Sequence, residues 1–265
     1  MKKWKSILLE RLFPVLLFAM NSYGFAQENS DLKHTLSLAS YYSSGSYGED
    51  TDTDILYLPL SFGANYGKWG MQISVPHLRV DGVGNVLVNV GGINRAVVGR
   101  EIERNSGIGD SVLSVTYQAE PVSDNSLFID FRLDVKIPTA DEARGLGTGE
   151  ADYSAQVDIS QYYGNSVLFG TFGVTFRGDT DLYAGLTDSA YVQLGVARPL
   201  APRWNVGIFY DFRGPASTFS PEIHELVPYF SFQFSDNWSF TGLTAFGFTH
   251  ASAKAAILGQ ISYSW

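Results

Sequence analysis

The sequence contains no cysteine, which excludes a disulfide scaffold, a zinc ribbon and any thiol nucleophile. Charge is scarce too: 17% of the 265 residues are Asp, Glu, Lys or Arg, against about a quarter in an average soluble chain. Basic residues are the scarcer sign, 18 against 27 acidic for a formal charge of −9, which argues against nucleic acid as a partner. No apolar run reaches the roughly 18 residues that mark a spanning helix. What the chain has in quantity is aromatic residues: 18 Phe, 15 Tyr and 5 Trp, together more than its 27 Gly. With 45% hydrophobic residues, the composition excludes a disordered protein.

The N-terminus reads as an export signal. Lys2, Lys3 and Lys5 form a positive start, Leu12 to Met20 an apolar core, and Gly24-Phe25-Ala26 a small-residue cleavage site before Gln27. The uncharged run is too short for a bilayer span, and Glu10 and Arg11 interrupt it. The expected organisation is therefore a cleaved signal peptide, 1–26, and one domain, 27–265. Removing residues 1–26 takes away four basic residues and one acid, so the mature chain carries 14 basic and 26 acidic residues, net −12.

Strict alternation runs through the mature chain. Leu127, Ile129, Phe131, Leu133, Val135 and Ile137 fall on one face of a strand, and Asp130, Arg132, Asp134 and Lys136 on the other. Similar alternation recurs in segments such as 69–75, 113–118, 152–159, 204–212, 230–234 and 257–265. The pattern gives about twelve strands of roughly 9–12 residues, the length of a tilted strand that crosses a bilayer. They fall near 32–42, 52–62, 69–79, 108–118, 127–138, 151–161, 166–176, 190–199, 204–213, 223–234, 238–249 and 255–265.

The connections alternate between short links, such as 162–165, 200–203 and 235–237, and longer ones, such as 80–107, 139–150 and 177–189. Short turns at one end and long loops at the other mark an up-and-down transmembrane barrel, whereas a soluble sandwich has no reason to keep that phase. Trp69, Trp204, Trp238 and Trp265 all start or end strands on the short-turn side, where an interfacial girdle belongs. The expected fold is an all-β, antiparallel up-and-down transmembrane barrel of about 12 strands, apolar outside and polar inside, in the outer membrane of a Gram-negative bacterium. The closing Ser262-Tyr263-Ser264-Trp265 resembles the C-terminal strand by which outer-membrane barrels are recognised by their assembly machinery, although Phe is the commoner last residue.

Such a barrel has a backbone radius on the order of 12 Å, leaving a narrow lumen that large side chains or an inserted loop would close. The candidate lumen-lining residues are Asp110, Asp130, Arg132, Asp134, Lys136, Asp152, Asp158, Asp211, Arg213 and Glu225. Charges inside a membrane protein require water or partners, so these residues either hold the barrel's shape or select what passes. Their acidic excess disfavours an anion pore. The apolar, Gly-rich loop 80–107 either folds into the mouth as a constriction or extends the neighbouring strands as a hairpin.

Other motifs carry less. Gly82-Val83-Gly84-Asn85 has no following helix and no Lys-Ser/Thr, so a phosphate loop is rejected. The acidic run Glu49 to Asp54 lacks the Gly and distal Glu of a calcium loop and reads as a solvated segment. Among His34, His77, His224 and His250, only His250, beside Ser252, offers a hydrolase pair. The expectation is no enzyme, no metal and no cofactor.

Three segments carry a resemblance: Ser106-Gly107-Ile108-Gly109-Asp110, Lys136-Ile137-Pro138-Thr139-Ala140-Asp141, and Leu146-Gly147-Thr148-Gly149-Glu150-Ala151-Asp152-Tyr153. They resemble motifs of the outer-membrane barrel family named for the meta-cleavage pathway of phenol degradation, with Ala140 standing where that family usually has Gly. The resemblance implies a barrel that passes or binds small hydrophobic or aromatic compounds. On the residues alone, Pro138 ends a strand, and Gly147 and Gly149 allow close backbone approach or positive φ. The expected function is passive diffusion of small molecules of that kind, in contact with outer-membrane lipid; the alternative is a non-transporting structural or surface barrel.

Overall fold

The computed structural model describes residues 32–47, 52–82, 86–90, 93–97, 103–122, 127–179, 185–218 and 220–265. The expected signal segment, 1–26, and residues 49–51 of the acidic run lie outside the described residues. The strands are β1 (Lys33–Gly45), β2 (Thr53–Tyr66), β3 (Trp69–Gly82), β4 (Val86–Val90), β5 (Ile93–Val97), β6 (Glu103–Ile108), β7 (Ser111–Gln118) and β8 (Leu127–Ile137). They continue as β9 (Asp152–Tyr163), β10 (Ser166–Phe176), β11 (Ser189–Ala201), β12 (Trp204–Arg213), β13 (Ile223–Gln233), β14 (Trp238–Gly247) and β15 (Ala255–Ser264).

Each wall strand pairs antiparallel with its neighbours, and β15 pairs with β1 from Thr35 opposite Ser264 to Ser44 opposite Ala255. The wall is thereby a closed barrel of twelve strands, because β6 and β7 are successive pieces of one strand along β3. The junction is sealed by paired backbone bonds between His34 and Trp265, 2.9 and 3.0 Å. Closure satisfies backbone groups that lipid cannot bond.

The break between β6 and β7 is a β-bulge. His77 stands opposite Ile108 and Ser74 opposite Val112, so β3 spends three steps where its neighbour spends four. The extra residue re-aims the chain and buries both Gly109 and Asp110. Gly109 N–H donates to the Pro76 carbonyl at 2.9 Å. Two-residue turns with Gly67 (φ 56°) and Gly164 (φ 62°) in the left-handed region join β2 to β3 and β9 to β10, a conformation glycine adopts without a Cβ clash.

Outward positions are apolar and exposed, Leu133 at 61% on β8 for example. Trp69, Trp204, Trp238 and Trp265 are exposed at the short-turn end. Trp69 packs beside Tyr117 and Trp238 beside Tyr263, each with ring centroids 4.8 Å apart, and Trp265 stacks on Tyr263 at 5.4 Å. The first three strands run longer than their alternation predicted, to 13, 14 and 14 residues. The flanks of the 80–107 loop share in this: Val80 to Gly82 pair with Glu103 to Asn105 as continued wall, and β4 and β5 form a separate hairpin. The flanks therefore follow the hairpin alternative.

One expectation is corrected by the fold. The interior is not uniformly polar: Ile55, Tyr57, Leu78, Val80, Val167, Phe169, Phe209, Val227, Tyr229 and Leu258 are all buried at inward-facing positions. A barrel this narrow brings side chains from facing strands into mutual contact, so apolar residues find partners inside as well as lipid outside. Leu133→Lys should destabilise the barrel by about 2–4 kcal/mol, the cost of a cation at mid-bilayer on the lipid face. Urea unfolding in lipid vesicles reads that loss.

Candidate functional site

Lys136 organises the interior at the long-loop end. Its ammonium is 1% exposed and pairs with Asp152 at 2.9 Å and Asp110 at 3.4 Å, while donating to Thr148 Oγ1 at 2.7 Å. Asp110 reaches this position because of the bulge, and its Oδ1 accepts the Ala140 N–H at 3.1 Å. Asp152 Oδ1 accepts the Gly178 N–H at 3.1 Å. Thr139 Oγ1 donates to the Gly109 carbonyl and accepts from the Ser111 N–H, at 3.0 and 2.9 Å. One buried cation thus ties together β8, β9, the bulge and the loop 138–150.

That loop folds inward. After the short 3-10 turn Glu142–Arg144, Gly145 turns the chain at φ 67° and Leu146 becomes buried. Leu146 packs with Ile55, Tyr57, Leu78 and Val80 on β2 and β3. The glycines explain the path: a Cβ on Gly147 would lie 2.7 Å from both Asp110 carboxylate oxygens and from Ala140 Cβ. Gly107 leaves room for Leu146, whose Cδ1 would lie 2.8 Å from a Cβ there. Gly149 sits at φ 76°. The three motifs that carry the family resemblance therefore meet at one place, around Lys136 and Leu146.

The other charges form separate groups. Arg132 pairs with Asp134 at 2.7 Å, and Ser114 bonds both, at 2.9 and 2.5 Å. Asp158 accepts from Gln156 Nε2 at 2.7 Å and from Thr171 Oγ1. Gln156 in turn accepts from Tyr191 OH at 2.8 Å. Arg213 pairs with Asp211 and with Glu225, the latter at 3.2 Å, and Gln193 Nε2 donates to Asp211 at 3.1 Å. Asp130 is buried opposite Asp158 on β8–β9. All ten sequence-identified residues thus point inward.

Charge is confined to part of the wall. The inward positions of β10 and β11 carry none, and neither do those of β14, β15, β2, β3 and β1 from Thr35 on. Part of the lining there is hydroxylated: Ser37 bonds Ser262 at 2.9 Å, Thr35 bonds Ser264 at 3.0 Å, and Ser61 bonds Ser74 at 3.0 Å.

An apolar stripe crosses this interior. Val167, Phe169, Ala197, Phe209, Tyr229, Val227, Ala245 and Ala256 form one cluster from β10 round to β15, with Ala253 of the last loop. Ile55, Tyr57, Leu78, Val80 and Leu146 form the second. Tyr41 and Tyr47 pack against both. Tyr47 holds φ 49°, which is strained for a bulky residue, and donates to Ser43 Oγ at 2.6 Å. Burial pushes its phenol pKa up, so it remains a donor. Parity along Asn205, Gly207, Phe209 and Asp211 already placed Phe209 inside. Nothing in the local sequence signalled Leu146 or Tyr47, whose burial depends on loop paths.

The hydrolase pair does not form. Ser252 Oγ bonds Thr249 Oγ1 at 2.7 Å and the backbone of His224 at 3.2 and 3.3 Å, while His250 is exposed. Among the described residues no cluster of three or more His, Cys, Asp or Glu could hold a metal ion.

Residues 43–265 match the family model described as putative MetA-pathway of phenol degradation, and the chain belongs to that family. No match is found among curated proteins. Among solved structures, the KdgM porin aligns with a TM-score of 0.53 at 7% identity, over 87% of this chain and 99% of that one. The NanC porin aligns with a TM-score of 0.54 at 9% identity, over 87% and 98%. The fold is thus that of the outer-membrane porin barrels.

Lys136→Met should leave two buried carboxylates without their cation, at a cost of about 3–5 kcal/mol, and loosen the 138–150 loop. Trypsin cleavage after the exposed Arg144 should accelerate in folded protein, and Asp110→Asn with Asp152→Asn added should slow it again.

Proposed function

We propose that the protein is a passive outer-membrane channel for small, uncharged hydrophobic or aromatic molecules. The observation that carries this reading is the apolar stripe that crosses the barrel interior and joins two clusters through Tyr41 and Tyr47. A barrel built only for shape needs no connected aromatic lining, and such a lining offers an uncharged solute contacts to exchange as it moves. Among the ten inward charges identified from the sequence, seven acidic against three basic repel anions. One KdgM porin structure is in complex with disordered oligogalacturonate, an acidic sugar; this lining suits such a ligand poorly.

In this reading the ion-paired groups hold the wall in shape, and the 138–150 loop closes the path at rest. Passage requires Leu146 to leave the cluster on β2 and β3. The reading includes removal of residues 1–26 on export, residence in the outer membrane of a Gram-negative bacterium, and insertion by the assembly machinery through the strand ending at Trp265. No catalytic role is assigned. Flux into liposomes holding the folded protein tests the proposal: benzyl alcohol should enter faster than through protein-free vesicles, and galacturonate should not. Absence of any flux would make the protein a structural barrel instead.

A further inference from the structure

On β8, β9, β10, β14 and β15 the outward face stays apolar up to the long-loop end, with Ile137, Tyr153, Phe176, Phe246 and Ile257 exposed there. The sector of β2, β3 and β6 differs. Beyond the exposed Trp69, Met71, Ile73 and Val75, the same face of β3 turns polar with His77, Arg79 and Asp81. Arg104 of β6 stands opposite Asp81. Arg79 follows Trp69 by ten positions on β3. At about 3.3 Å per residue and about 40° of tilt that is about 25 Å, the height of the apolar band of an outer-membrane barrel. The two guanidinium groups therefore sit at the level of the outer-leaflet headgroups.

Both arginines converge on one carboxylate. Arg79 donates from Nε and Nη2 to Asp81 Oδ2 at 3.0 and 2.7 Å, and Arg104 from Nε to Oδ1 at 2.5 Å. Nη1 of Arg79 and both terminal nitrogens of Arg104 have no partner among the described residues. Asp54 stands opposite Asp81 on β2, but the Tyr42 hydroxyl donates to its Oδ1 at 3.1 Å from β1, on the side of β2 away from the arginines. Two cations thus share one near anion and keep donors to spare. A guanidinium fork matches the oxygens of a phosphate, which can take two parallel hydrogen bonds from it.

We propose that Arg79 and Arg104 form a docking site for a phosphate group of an outer-leaflet glycolipid, whose acyl chains lie along Met71, Ile73 and Val75. The site rests on residence in the outer membrane and not on passage through the lumen. It anchors lipid to the two strands that meet at the bulge of Gly109 and Asp110.

Native mass spectrometry of the folded protein in detergent, with diphosphorylated lipid A as the probe, tests the site. Wild type should bind the dephosphorylated lipid about tenfold more weakly than lipid A, the value of one hydrogen bond to a charged group. Arg79→Gln with Arg104→Gln should weaken lipid A binding by about the same factor. Asp81→Asn, which frees both guanidinium groups, should tighten it. Arg198→Gln, which removes an exposed arginine near the short-turn end of β11, should change nothing. Equal lipid A binding by wild type and the double variant, or equal binding of the two lipid forms by wild type, would overturn the site. So would a dimer in place of bound lipid that the double variant dissolves, since the sector would then face a second copy of the chain. Liposome flux separates this site from the channel reading. Lost lipid binding with flux intact sinks the site alone, and bound lipid without flux sinks the channel alone.

Discussion

Lipid offers no hydrogen bonds to a polypeptide backbone, and the architecture follows from that constraint. A sheet that crosses a bilayer must close, and here β15 returns to β1 with paired bonds at His34 and Trp265. Closure relieves the outer face of any need for protein cover, so Leu133 and its neighbours stay exposed. It also gathers twelve inner faces around a narrow axis, where side chains from distant parts of the sequence meet. The interior, not the surface, is where this protein has its core.

Two kinds of inward residue divide that core. The charged groups on β8, β9, β12 and β13 pair with one another and bond Ser114, Thr148, Thr171 and Gln193. Buried ion pairs of this kind are poor sources of stability but strong constraints on geometry, because losing one member strands the other. The apolar stripe occupies the remaining wall. Glycine makes it possible, since Gly195 and Gly207 give Phe169, Phe209 and Tyr229 a backbone surface on which to lie. Leu146 and Tyr47 come from loops and connect that stripe to the long-loop end.

Much of this was readable along the chain. Alternation through 127–137 assigned Asp130, Arg132, Asp134 and Lys136 to the inner face, and the length of the links fixed which end carries the long loops. The motif glycines were read as positions of close approach or positive φ, and Gly147 and Gly149 take one role each. The bulge at Gly109 escaped, since a single extra residue leaves a strand's pattern intact on both sides. The inward turn of 138–150 is equally illegible, because a polar, Gly-rich loop gives no local sign of burial, whereas the longer, more apolar 80–107 loop gives one and its flanks extend the wall. The inner aromatics were legible by parity, yet composition favoured lipid and girdle as their destination. What local pattern cannot supply is which strands face each other across a closed barrel.

The account turns on the 138–150 loop as the element that must move. The native chain has no cysteine, so a Gly107→Cys, Leu146→Cys pair can be placed where the backbone at 107 meets the Leu146 side chain, and cross-linked without competing thiols. Benzyl alcohol flux into liposomes should fall to the protein-free level when this pair is oxidised and return on reduction. Equal flux in the oxidised and reduced protein would contradict the account.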